Sequence, residues 1–307
     1  MVEVPFDCIV IGAGPAGLSA SLFLARYRRK VLTIHHNSPR NIYSHGVHGF
    51  LGHHDIAPAE LLSRGREEVL GHGGKIIEAC ATKIEKSEAD LFKIEVESDR
   101  NRIFETRRVL LATGLRDLTP DCGGFCEFYG SSVFHCPDCD GFEVAGKRVA
   151  ILGYNHNAVG FTLDLLNWTD KLTLLTDGRA AQLDEAGVAK LASFDIKIRD
   201  ERVKALVGDL DTKQLQQVQF DAGSPLECDA LFFNLGTEPA SRLHQTLGCK
   251  MVDDFVWVDK TQETSVTGVY AAGDITPFSQ LAVVAAAEGA MAAIHIHQSL
   301  IPPERRV

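Results

Sequence analysis

Long apolar runs are the first thing missing. No stretch approaches 18 uninterrupted apolar residues, so nothing reads as a membrane-spanning helix. The opening MVEVPFDCIVIGAG has no basic segment ahead of a long apolar core, the pattern a secretory signal needs. Positive charge is also scarce: 31 Lys and Arg face 41 Asp and Glu, a net charge of -10, the reverse of a general nucleic-acid binder. Eight cysteines in 307 residues fall far short of the disulfide framework of a secreted scaffold. These absences predict a cytoplasmic protein with neither nucleic acid nor an integral membrane segment among its attachments. What remains, 45% hydrophobic and 23% charged residues, is the composition of a globular enzyme, with length for about two domains. The 27 glycines point to turn-rich nucleotide-binding loops.

The β-branched, apolar residues 6–11 run into GAGPAG, and residues 18–26 then follow a helical pattern. In such a strand-turn-helix, Gly12 supplies the tight turn and Gly14 lets the backbone approach a pyrophosphate. Gly17 permits close helix packing, and Pro15 and Ala16 open the helix on whose N-terminus the phosphate rests. A second strand, 30–34, arrives where an acidic residue normally holds ribose hydroxyls, yet His35 and His36 stand there instead.

The same grammar recurs: a strand over 147–152, the turn GYNHNA, an amphipathic segment over 159–168, and a strand over 171–176. Gly153 is kept, but Asn155 takes the middle glycine position, Asn157 follows it, and Ala158 takes the third, so backbone approach to a diphosphate is weakened. Asp177 ends the second strand of this unit. A carboxylate there suits a free ribose 2'-hydroxyl and repels a 2'-phosphate. It reads against NADPH and for NADH, an FAD adenosine, or nothing.

RVLLATG, with Ala112, Thr113 and Gly114, closes the first unit, and LFFNLG closes the second. The chain is therefore read as α/β with two Rossmann-like nucleotide-binding domains. Residues 1–115 and 241–307 form a discontinuous first domain, and 116–240 a central one. Residues 241–307 carry GVYAAGDI, in which Asp274 after Gly273 suits hydrogen bonding to a flavin's ribityl or phosphate region. The Ala-rich helical pattern over 281–296, opened by Gln280 and Leu281, either aims its N-terminus at that flavin or is a buried packing helix, or both. Residues 302–306 read as a frayed tail.

The sharpest chemical signal is Cys136-Pro137-Asp138-Cys139-Asp140. Two cysteines three apart either close a small, easily reduced disulfide or bind zinc. Zinc would recruit Cys122 and Cys126 at a spacing shorter than four-cysteine sites use, so redox is the favoured reading. Asp140 sets a proton donor or acceptor beside the thiols, and His135 is a candidate for lowering a thiol pKa. Cys8, Cys80, Cys228 and Cys249 are expected to be buried thiols. Six of the twelve histidines lie between His35 and His54, in a glycine-broken stretch that disfavours both a helix and a metal site. Hydrogen bonding near the flavin, or a solvated loop, is expected of them.

GAGPAG, ATG, CPDCD and AAGD, in this order, resemble the low-molecular-weight thioredoxin reductases over nearly the whole chain. The resemblance implies FAD on Gly12, Gly14, Gly17 and Asp274, with Cys139 facing the flavin. It further implies that Cys136 exchanges with an external dithiol or disulfide, that Asp140 is the acid/base, and that the protein is a homodimer. Two departures stand out. The basic cluster that such reductases use for NADPH is replaced by Thr176-Asp177-Gly178, and the arginine they place before Gln280 is Ser279. The stretch from Arg40 and Asn41 through His45, His48, His53 and His54 resembles the fungal and bacterial branch that oxidises dithiols of small natural products. It is also similar to the diflavin-linked disulfide oxidoreductases, whose former nicotinamide domain holds a second FAD. The expectation is an FAD-dependent dithiol/disulfide oxidoreductase that does not depend on NADPH, with room left for a second FAD in the central domain, acting on a thiol/disulfide protein or a small dithiol. Its rivals are an NADPH-dependent thioredoxin reductase with a divergent donor site and a flavin-bound redox sensor without turnover.

Overall fold

The computed structural model describes residues 4–87, 90–97 and 102–305. Met1 to Glu3 of the opening segment and Arg306 of the tail lie outside them; Pro303–Arg305 form one 3-10 turn. Two compact units divide the chain. One holds the chain up to Ile42, then Gly49–Arg116, and everything from Glu238 on; the other holds Tyr43–His48 and Asp117–Thr237. The crossings after Arg116 and Thr237 compare with the 115 and 240 read from sequence. The short excursion of Tyr43–His48 into the second unit has no counterpart in that reading.

The first unit is built on β1 (Phe6–Ile11), α1 (Pro15–Arg26), β2 (Val31–His35), α2 (Pro58–Gly71), β3 (Lys75–Glu78), β4 (Cys80–Lys86), β5 (Phe92–Glu97) and β6 (Arg102–Leu111). Its sheet runs β3-β2-β1-β6-β5-β4. The first half of β6 pairs antiparallel with β5, while its second half pairs parallel with β1 and with the strand Val269–Ala271. Both faces of β1 are covered, so Cys8, Ile9, Val10 and Ile11 are all buried, as the unbroken apolar run of a parallel strand requires. β4 is different. It is the outer strand, exposed along most of its length with Ile84 buried, and Cys80 is exposed, against the expectation of a buried thiol; Cys8, Cys228 and Cys249 are buried. The helix Ala282–Ser299 packs on α1, and a Cβ on Gly289 would fall 2.0 Å from the Ala16 carbonyl oxygen.

The second unit repeats the plan on a parallel sheet ordered Lys197–Arg199, Leu172–Leu175, Val149–Leu152, Ala230–Phe233, Val133–Phe134. Its core joins Val149, Ile151, Leu172, Leu174 and Phe232 on one face and Ala150, Leu152, Leu231 and Phe233 on the other. The helix expected over 159–168 is Ala158–Asp164 followed by a 3-10 turn, Leu165–Asn167. Among the described residues no helix is long and apolar enough to cross a membrane.

Candidate active site

Strand Val133–Phe134, buried at the end of the second sheet beside Ala230–Phe233, delivers Cys136 to the cap position of a one-turn helix, Pro137–Asp140. Pro137 has no N–H to lose there and its fixed φ starts the turn. The turn brings the two sulfurs together: Cys136 and Cys139 form a disulfide, and the Cys139 backbone N–H donates to Cys136 Sγ at 3.1 Å. A Cβ on Gly141 would strike the Trp168 ring at 2.7 Å, so glycine is what lets the tryptophan pack under the turn. Asp140 follows directly and is only 8% exposed. Burial pushes its carboxyl up to about 7, helped by Glu143 and opposed by His48. His48 Nε2 lies 3.8 Å from Asp140 Oδ1 and its Nδ1 lies 3.9 Å from Glu143 Oε1. His135 is turned elsewhere, to the Tyr129 hydroxyl at 3.2 Å and to Asp117. Burial raises the Cys122 thiol to about 11, and Cys126 is exposed. Among the described residues no cluster of three His, Cys, Asp or Glu could hold a metal ion.

In the first unit, Gly12 leaves β1 at φ +113°, and a Cβ on it would sit 2.1 Å from the Ala112 carbonyl oxygen. Only glycine lets these two parallel strands end so close together. A Cβ on Gly17 would collide with the Gly12 carbonyl at 1.9 Å, while Gly14 faces open space. No side chain caps α1 and no acidic residue lies in its first turn, so its free N–H groups are left for a ligand. Thr113 Oγ1, beside this turn, is buried without a hydrogen-bond partner. Across from it, the Gly273 N–H and the Thr276 hydroxyl both donate to the buried Glu288 carboxylate, at 2.8 and 2.6 Å. Arg40 joins Asp274, 3.0 Å away, to Gln280. His35, half-buried, accepts from the Asn37 N–H at Nδ1, and burial lowers its pKa. His36 is exposed and Asn41 half-buried.

The model of the pyridine nucleotide-disulphide oxidoreductase family matches residues 6–289. The chain belongs to that family. Among its relatives, the thioredoxin reductase tcpT of Claviceps purpurea is 29% identical over 280 residues, covering 87% of this chain and 86% of that one. An NADH dehydrogenase of Bacillus subtilis is 27% identical over 306 residues, 97% of this chain and 59% of that one. The crystal structure of TrxB from Bacillus anthracis, a protein assigned as a thioredoxin reductase, superposes with a TM-score of 0.89 at 30% identity, covering 96% of this chain and 98% of that one. The protein is thus a thioredoxin reductase-like flavin disulfide oxidoreductase.

Members of the family bind FAD, and the first unit fits it. The open face at Gly14, the uncapped start of α1 and the orphaned Thr113 hydroxyl are what a bound dinucleotide would use. The turn of the second unit is filled from within. Asn155 Nδ2 donates to the Asn234 carbonyl at 3.0 Å, and its Oδ1 accepts from the Asn157 N–H. Gly153 and Ala158 pack together, a Cβ on the glycine falling 3.2 Å from that of the alanine. Asp177 already serves the protein: Oδ1 accepts from the Val203 N–H at 2.9 Å, and Oδ2 lies 3.4 Å from Arg179. Arg179 in turn lies over the Tyr154 ring, 4.1 Å from its centroid. Sequence reasoning named Asp140 and His48 separately and overlooked Glu288, whose signal was a lone carboxylate in the apolar run of the last helix.

Proposed function

We propose that the protein is an FAD-dependent dithiol/disulfide oxidoreductase that passes electrons between flavin and an external thiol partner through Cys136 and Cys139, without NADPH. The observation that carries this reading is the disulfide on a one-turn helix that ends in a buried carboxyl, Asp140, which burial pushes up to about 7. FAD, when bound, supplies a two-electron acceptor for the pair, or a donor to it.

A thiolate of the partner attacks Sγ of Cys136; the Cys136–Cys139 bond breaks and Cys139 leaves as thiolate. The second thiol of the partner then attacks its own sulfur in the mixed disulfide, releasing the partner as a disulfide and Cys136 as thiolate. Two electrons have moved onto the pair, and Asp140 holds or yields the proton that balances Cys139. In the first unit, Gly12, Gly14, Pro15, Ala16 and Gly17 receive the diphosphate. Ala112, Thr113 and Gly114 line the same turn. His35, His36, Arg40, Asn41, Gly273, Asp274, Gln280 and Leu281 complete the cofactor side.

Independence from NADPH is supported by the side chains that fill the second turn. The Asn155 side chain is tied to the backbone of Asn234 and Asn157 and the Asp177 side chain to that of Val203, and Asp177 repels a 2'-phosphate. The same ties leave Gly153, Asn155, Asn157, Ala158 and Asp177 poorly suited to a second FAD, so one flavin per chain is the reading adopted. A homodimer acting on a small dithiol or a thiol protein in the cytoplasm is part of the proposal. The second reading is a nicotinamide-dependent reductase, favoured by the names of the relatives, a thioredoxin reductase and an NADH dehydrogenase.

The test is an anaerobic titration of the flavin-counted protein with NADPH, NADH and a dithiol, following the flavin band. A dithiol is expected to bleach it while neither nicotinamide does, with Cys139→Ser retaining flavin and losing the response. Rapid bleaching by either nicotinamide would establish the second reading, and a count near two per chain would put a second flavin in the central domain.

A further inference from the structure

The carboxyl beside Cys139 does not stand alone. The excursion Tyr43–His48, which belongs to the second unit, brings an imidazole to it. Gly130, at φ +81°, lies so close to this segment that a Cβ on it would fall 1.9 Å from the Tyr43 carbonyl oxygen. The Tyr43 and Tyr129 rings pack at 5.4 Å, and His45 Nε2 is 2.6 Å from Ser131 Oγ. The Ser44 hydroxyl closes the turn on the Gly46 carbonyl at 2.8 Å, and Val47 is buried. A segment fixed at so many points holds His48 in one place, with one ring nitrogen toward Asp140 and the other toward Glu143.

We propose that His48 is the positioning residue of the redox pair: placed between Asp140 and Glu143 by the Tyr43–His48 segment, its ring sets the charge of Asp140 and so the readiness of that carboxyl to hold the proton of Cys139. The inference rests on the dithiol/disulfide reading for its purpose, though not for its measurement. Two residues act on Asp140 from the elements around it. Glu143, on the turn that follows, favours the protonated acid, and His48, as imidazolium, favours the carboxylate; in the reduced protein the Cys136 and Cys139 thiolates add to the side of Glu143. His48 acts across 3.8 Å, on a carboxyl that water hardly reaches.

The experiment is a pH titration of the oxidised, flavin-loaded protein by infrared difference spectroscopy, following the protonated-carboxyl stretch that Asp140→Asn removes. With His48→Gln the midpoint is expected to rise by about one pH unit, the low end of the effect of a nearby cation, and with His48→Lys to fall below that of His48→Gln. A structural role alone would move both variants alike. Should the His48 variants fail to fold, Glu143→Gln tests the same balance from its other side: with the opposing carboxylate gone and His48 in place, the Asp140 midpoint is expected to fall. An unshifted Asp140 midpoint in His48→Gln, or in Glu143→Gln, overturns the proposal. Failure of a dithiol to reduce the flavin would overturn the functional reading instead, and would leave these midpoints as they are.

Discussion

Asp140 is a carboxyl kept where water hardly reaches, and its folded-state value near 7 has a consequence for stability. The unfolded chain releases this proton near pH 4. Between roughly pH 4 and 7 the native state therefore binds more protons than the unfolded one, and stability falls as pH rises through that window. Asp140→Asn has no proton to lose. From pH 5 to pH 8 the oxidised wild type is expected to lose on the order of 2 kcal/mol more than the variant, read by urea unfolding at both pH values; equal losses would place Asp140 in water. The cost is one a protein tolerates for function, and here it stands next to the pair whose proton must be held. The chemistry of CPDCD was legible because its members are neighbours in the chain. Its tuning was not, since His48 reaches Asp140 only through the fold, and Arg40 reaches Asp274 across 234 positions.

At the scale of elements, what sequence made plain were the local units, a β-branched run, a glycine turn and a helix, whose constraints lie largely within the motif itself. Gly17 against Gly12 is such a case. Gly289 is the opposite. Nothing around it in sequence marks the Ala16 carbonyl oxygen as its neighbour, yet this approach seats the last helix on α1 and places Glu288 to hold Gly273 and Thr276. Gly289→Ala must therefore part the two helices, at a cost of about 2–3 kcal/mol. A lower urea midpoint together with weakened retention of flavin is the expected outcome; an unchanged midpoint would mean that the helices separate freely. Cys80 belongs to the same lesson: that β4 ends its sheet, and so leaves the thiol exposed, was decided by which strand pairs with which.

For the whole molecule the decisive feature is that each unit closes its own core, one around Ile9, Ile34, Phe92 and Leu111 and one around Ile151, Leu174 and Phe232. Two cores of this kind unfold as separable cooperative blocks. A ligand raises the stability of the block it binds by an amount set by its concentration and affinity. Calorimetry of the flavin-stripped protein is thus expected to give two transitions, of which added FAD raises one. The other should stay in place, because Asn155 and Asp177 of the second unit already spend their polar atoms on Asn234, Asn157 and Val203. If FAD raised both, those ties would have to break to admit a second flavin, and the central unit would be a working nucleotide site. If NADPH alone raised the second transition, Asp177 would have to turn away from the 2'-phosphate it faces, and the nicotinamide-dependent reading would replace the one argued here.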